Sequence, residues 1–297
     1  MSHRRAINPR KSVNFPTMKT PIDIAFLGGG NMAGALIQGL LKRGLAPEHL
    51  HVVDINGDTR ARWRERGLSV ASEPDQELTR HHVWVLAVKP QQLSDVVKQA
   101  KPFLQDNTLV LSIAAGISMS CLASWLGSPS DPWPLVVRAM PNTPALVEKG
   151  MTGLVASPAV ASEHRTHIHN ILSAVGDIVW VDSDEMIDAV TAISGSGPAY
   201  VFRFLEAMMA AAKTLGLDDV QAKQLSLATL AGATELATQS EESVSVLRER
   251  VTSKGGTTEA ALRVMEQGQF GPTLEKAILS AYDRAGELSR EFGRDSP

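Results

Sequence analysis

Two short stretches carry residue types suited to holding anions. In FLGGGNMAGAL, Gly28, Gly30 and Ala33 fall at the spacing G-x-G-x-x-A, with Asn31 and Met32 opening a helix-like segment. Glycine at 28 permits a tight turn, and glycine at 30 leaves room for a pyrophosphate against the backbone. A small residue at 33 lets helix and strand pack closely. Free amides at such a helix start face the phosphates, aided by the helix dipole. The second stretch is VTSKGGTTEAAL, residues 251–262, which sets two glycines beside three threonines and a serine in an otherwise helical region. Its GGTT amides open the next helix, where a carboxylate or a phosphate can bind, and the Thr257 and Thr258 hydroxyls lie beside them. By itself the same pattern reads first as a plain helix cap and only second as a binding loop, because Ser and Thr are routine capping residues.

The glycine pattern has meaning only between a strand and a helix. Here it follows the strand candidate Ile22–Leu27 and precedes the helix candidate Asn31–Arg43, and a second strand, His51–Asp54, ends in an acid. Asp54 could accept hydrogen bonds from an adenosine ribose diol, which favours NAD. Arg60, Arg62 and Arg64 could instead hold a 2′-phosphate, or simply form a solvated helix face. NADH against NADPH therefore stays open. Two further loops leave strands at their carboxyl ends, where open α/β sheets bind ligands. AVKP (Ala87, Val88, Lys89, Pro90) follows VWVLAV, and RAMPNTPA (138–145) follows Leu135–Ala139. Pro141 and Pro144 stiffen the latter, while Asn142 and Thr143 offer amide and hydroxyl groups. Both read as a rigid platform for the nicotinamide end, against the plainer reading of proline turns.

The elements that must position these residues alternate. Strand candidates at 22–27, 51–54, 83–88, 108–113, 135–139 and 178–181 are separated by helix candidates that include 31–43, 58–66 and 90–101. Such alternation implies right-handed crossovers and a parallel sheet covered on both faces. After about Asp182 the strand signals stop, and alanine, leucine, methionine and glutamate recur at helical spacing. The expected fold is α/β: a Rossmann-like dinucleotide-binding domain over 21–182, then an all-α domain over 183–297. Within the latter, Ala192–Leu217 is apolar nearly all round, with Gly195, Gly197 and Pro198 near its start. A helix that apolar in so small a domain predicts a dimer interface.

Composition narrows the function. The chain of 297 residues is 43% hydrophobic and 21% charged with a formal net charge of −3, and no basic run in its body supports nucleic-acid binding. No segment is long and apolar enough to span a membrane. Cys121 is the only cysteine, which suits a reducing, cytoplasmic setting. Residues 1–20 are basic, polar and free of acids but lack a clear apolar face, and they are expected to be a disordered extension. His164, His167 and His169 lie close together without cysteine or acidic partners, so no metal is expected.

FLGGGNMAGAL, AVKPQ, RAMPNTPALV, AISGSGPAYVF and VTSKGGTTEAAL occur in the order and spacing of the pyrroline-5-carboxylate reductases, and the chain resembles that family from Ile22 to about Arg290. The resemblance implies reduction of Δ1-pyrroline-5-carboxylate to L-proline by NADPH or NADH, the last step of proline synthesis. It also implies a Rossmann domain followed by a helical dimerisation domain, in dimers that often assemble into decamers. It makes 253–258 the substrate loop: amides of Gly255, Gly256 and Thr257 take the carboxylate and the Thr258 hydroxyl meets the ring nitrogen, with Ser253 and Thr258 the candidate catalytic residues. The family often has proline after the serine, where this chain has Lys254, and DINGD departs from the small, hydroxyl or arginine residues common after its second strand.

Two rivals remain. A β-hydroxyacid or 6-phosphogluconate-type dehydrogenase needs a lysine deep in the first long helix of the second domain, and none occurs there before Lys213. A non-catalytic redox sensor has no use for a carboxylate loop.

Overall fold

The computed structural model describes residues 22–294, and the extension expected over 1–20 lies outside the described residues. Eight strands form one sheet: β1 (Ile24–Leu27), β2 (Leu50–Val53), β3 (Ser69–Ala71), β4 (Val83–Leu86), β5 (Leu109–Ser112), β6 (Val136–Met140), β7 (Gly150–Ala156) and β8 (Gly176–Trp180). Their order is β3-β2-β1-β4-β5-β6-β7-β8. The first six run parallel in the doubly wound order, with the topological switch between β1 and β4. The glycine turn after β1 and the AVKP loop after β4 therefore open side by side.

Helices cover both faces: α1 (Asn31–Lys42), α2 (Gly57–Arg64), α3 (Pro90–Ala100), α4 (Met119–Leu126) and α5 (Ser162–Leu172). Side-chain alternation along β1 sends Ile24 and Phe26 to one buried layer with Leu36, Ile37 and Ile168. Ala25 and Leu27 enter the other with Leu93, Val97 and Leu122. Period-two patterning with both faces buried is what makes β1, β4 and β5 read as continuous apolar runs.

The expected all-parallel sheet is corrected at its far edge, where β7 runs antiparallel to β6 and β8 parallel to β7. β7 was hidden by its glycines. A side chain at Gly150 would meet Ala145 and the Val175 carbonyl, and one at Gly153 would meet Val190 at 2.5 Å. These glycines permit close approach and do not break the strand.

Beyond Trp180 the described residues form helices: α6 (Glu185–Val190), α7 (Gly197–Thr214), α8 (Asp219–Gln239), α9 (Val244–Arg250), α10 (Thr257–Gln267) and α11 (Phe270–Arg294). The expected single helix over Ala192–Leu217 is interrupted by a π turn, Thr191–Gly195, before α7 begins. In the single chain Leu205 is the one buried residue of α7, while Val201 and Phe202 (60% exposed) are open and Phe204 is partly covered by Phe270. Leu225, Leu227 and Leu236 of α8 are likewise exposed, so the apolar faces of these two helices lack cover within one copy. Among the described residues no helix is long and apolar enough to cross a membrane.

Candidate active site

The glycine turn is built by contacts that forbid side chains at two of its three glycines. Gly28 has φ +102°, and a Cβ there would lie 2.7 Å from the Ala87 carbonyl and 2.9 Å from the Val88 nitrogen. It is thus the point where the turn after β1 touches AVKP. Gly29 is hemmed in by Thr59, Val52 and Trp63. Gly30 is different, because nothing lies within 4 Å of its missing Cβ. Gly30 is also the N-cap of α1, with no side-chain cap and no acid in the first turn. The amides of Asn31 and Met32 therefore open toward free space. A cavity of about 150 Å³ lies there, lined by Gly30, Asn31, Gly34, Arg62 and Leu146 among others. An uncapped helix start with room beside it fits a pyrophosphate.

Asp54 sits at the end of β2, and both its carboxylate oxygens accept backbone hydrogen bonds. Oδ2 takes the Gly29 amide at 2.7 Å and Oδ1 the Asn56 amide at 2.8 Å. Its carbonyl accepts from Arg60, while Arg62 and Trp63 donate to the Gly29 carbonyl at 2.9 and 3.2 Å. The Arg62 guanidinium also lies 4.6 Å over the Trp63 ring. Arg60 and Arg62 thus brace the turn and are not a purely solvated face. Gly29 and Trp63 carry no motif signal of their own, and only the run RARW (60–63) places the braces beside one another.

AVKP leads from β4 into α3, with Lys89 as an N-cap whose side chain makes no cap and Pro90 at the first helical position. The Asn142 side chain, expected to offer its amide to the nicotinamide end, is engaged within the chain. It donates to the carbonyl and hydroxyl oxygens of Ser194, both at 3.1 Å, and accepts from the Met151 amide at 2.9 Å. Asn142 thereby pins the proline loop to the π turn. Arg138, in the same motif, was assigned no role. It is 3% exposed and pairs with Asp184 at 2.8 Å and Asp188 at 3.4 Å, tying β6 to α6. Burial pushes the Asp188 carboxyl above the ordinary carboxylate range, against the opposing pull of Arg138.

The stretch 253–258 runs from the turn after α9 into the first residues of α10. Gly256 is the N-cap of α10 without any side-chain cap, and Gly255 has φ +74°. The Gly256 amide donates to the Ser253 carbonyl at 3.0 Å, and the Gly255 amide donates to Glu259 Oε2 at 2.6 Å. Neither Thr257 nor Thr258 has a side-chain hydrogen bond among the described residues, and neither hydroxyl caps the helix. The loop is largely exposed, and its hydrogen bonds among the described residues stay local to α9, the turn and the start of α10. The structure thus brings Gly28, Gly30, Asn31, Met32, Asp54 and Ala87–Pro90 together at the sheet switch, and groups Ser253–Thr258 separately in the helical region.

Comparison with known proteins gives two family matches, one to each part of the chain. The family description "Pyrroline-5-carboxylate reductase dimerisation" matches residues 184–288. "NADP oxidoreductase coenzyme F420-dependent" matches residues 23–116. The chain is 41% identical to the pyrroline-5-carboxylate reductase of Pseudomonas aeruginosa, over 93% of this chain and 100% of that protein. It superposes on the solved pyrroline-5-carboxylate reductase of Coxiella burnetii with a TM-score of 0.85 and 38% identity, covering 91% and 99% of the two chains. The Plasmodium falciparum enzyme, solved with NADP bound, gives a TM-score of 0.78 and 30% identity, covering 90% and 98%. On whole-length similarity of this degree, the chain belongs to the pyrroline-5-carboxylate reductase family.

Proposed function

We propose that the chain reduces Δ1-pyrroline-5-carboxylate to L-proline by gripping the substrate carboxylate on the α9–α10 turn and the cofactor pyrophosphate on the start of α1. The observation that carries this reading is a pair of uncapped helix starts, one behind Gly30 and one behind Gly256. A dinucleotide takes the first, since Gly30 leaves space where any other residue would place a side chain. A small carboxylate takes the second, at the Thr257 amide and, in place of Glu259, at the Gly255 amide; the Gly256 amide, expected to join them, donates to the Ser253 carbonyl instead. The nicotinamide, when bound, supplies the hydride.

The chain's own work is then modest. A cyclic imine accepts hydride readily once its nitrogen is protonated, so alignment and exclusion of water dominate. Thr258, whose hydroxyl has no partner among the described residues, hydrogen-bonds the ring nitrogen, and Ser253 lines the same turn. Ala87–Pro90 supply backbone walls at the nicotinamide end. Asn142 acts by fixing the proline loop against Ser194. Asp54 holds the glycine turn rigid, and its charge disfavours the 2′-phosphate of NADPH relative to the diol of NADH. The bare faces of α7 and α8 pack against a second copy, making a homodimer.

The test is oxidation of NADH and of NADPH by the purified protein, offered pyrroline-5-carboxylate and, separately, a panel of 3-hydroxyacids with the oxidised cofactors. Turnover confined to the pyrroline supports the reading. Turnover confined to a hydroxyacid would hand the site to the dehydrogenase rival.

A further inference from the structure

Glu259 takes no part in the chemistry described so far, yet its carboxylate occupies the binding turn. Oε2 lies 2.6 Å from the Gly255 nitrogen, the distance of a charge-assisted hydrogen bond. The contact is not a capping box, in which the acid at the third helical position returns to the N-cap amide. The N-cap amide, Gly256, already donates to Ser253. Nor is Glu259 held by the nearby cation, because Lys254 forms no ion pair among the described residues. One backbone N–H serves one strong acceptor, and two carboxylates on the same turn repel each other.

Resting on the reading that this turn grips the substrate carboxylate, we infer that Glu259 is a positioning residue that acts as an internal stand-in for that carboxylate. With no substrate present, it satisfies the Gly255 amide and keeps the glycine turn in its receptive shape. Substrate binding must displace it. The side chain therefore sets the affinity for the substrate and selects for ligands whose carboxylate can win the amide, while leaving the hydride-transfer geometry at Thr258 untouched.

The experiment is Glu259→Gln in the full-length assembled enzyme, with KM for pyrroline-5-carboxylate, KM for the cofactor, kcat and inhibition by L-proline measured together. Removing the competing charge is expected to lower the substrate KM and the proline inhibition constant by the same factor, about two- to tenfold for one hydrogen bond. Cofactor KM and kcat should hold. An unchanged or raised substrate KM would overturn the inference and leave Glu259 as a brace of the helix start. A second variant separates this from failure of the underlying reading: Gly256→Ala places a Cβ 2.5 Å from Ser253 Oγ and should raise the substrate KM. If Gly256→Ala does so while Glu259→Gln changes nothing, only the role of Glu259 falls. If neither variant moves the substrate KM, the turn is not the carboxylate site and both statements fall.

Discussion

The amide of Gly29 donates to Asp54 Oδ2 at 2.7 Å, which locks the turn after β1 to the end of β2. Asp54 therefore has two tasks, bracing the turn and setting the local charge, and substitution separates them. Asp54→Asn keeps the shape but removes the charge and one acceptor oxygen. KM for NADH should rise about fivefold or more for a weakened hydrogen bond of ~1 kcal/mol. The NADPH:NADH ratio of kcat/KM should also move toward NADPH. Comparing both cofactors in wild type and variant checks this; an unchanged ratio would mean that the charge faces away from the ribose.

Gly28 and Gly30 should respond in opposite ways. Gly30→Val has open space around it and should fold normally while losing dinucleotide binding in calorimetric titration. Gly28→Ala meets both a positive φ and the Ala87–Val88 backbone. It should lower stability by about 2–4 kcal/mol, combining conformational strain with overpacking. Thermal melts with and without cofactor distinguish the two outcomes.

Arg138 is buried between two aspartates, and truncation strands their charges. Arg138→Met should lower unfolding free energy by about 3 kcal/mol, the low end for a broken buried pair because Asp184 keeps 22% of its side chain exposed. Urea unfolding measures the loss directly.

His51 gives the sheet a pH dependence. Its ring is buried, with Ser69 3.0 Å from Nδ1, Asp75 3.5 Å from Nε2, and Glu77 and His81 close by. Desolvation holds its pKa below the ordinary histidine value despite the pull of Asp75. Below pH of about 6.5 the unfolded chain then binds a proton that the folded chain does not. Stability should fall as pH drops through that value, by at most ~1.4 kcal/mol per pH unit, and level off once folded His51 is protonated. His51→Asn should flatten the slope between pH 7 and 5 in urea titrations.

Much of this was legible in the sequence because it is periodic or local. The apolar runs of β1, β4 and β5, the glycine turn and the α9–α10 stretch all announce themselves through residue type at fixed spacing. What stayed hidden is settled by partners distant in the chain. β7 reads as a loop until Val190 and Val175 are seen against its glycines. Asn142 looks like a free amide until Ser194, 52 residues away, takes it. Asp54 shows only its ribose-acceptor side in the sequence, and the Gly29 and Asn56 amides that its oxygens also accept come into view only with the turn folded against it. β3, three residues at the sheet edge, carries too few side chains to show a period.

Thr258 separates a catalytic hydroxyl from a structural one. Since Gly256 caps α10 without side-chain help, Thr258→Val should leave the melting temperature nearly unchanged. Its kcat should fall roughly 10- to 150-fold for a lost hydrogen bond to a charged group of ~1.5–3 kcal/mol, with little change in KM. A lower melting point with normal turnover would instead assign Thr258 to the helix start.

Isotope transfer follows the hydride to the imine carbon. Wild-type enzyme is given pyrroline-5-carboxylate with reduced cofactor deuterated at the transferring position of nicotinamide C4, and the product is read by mass spectrometry. The expected product is L-proline carrying a single deuterium at the former imine carbon, formed in step with cofactor oxidation. Cofactor oxidation without labelled proline, or no oxidation at all, would contradict it.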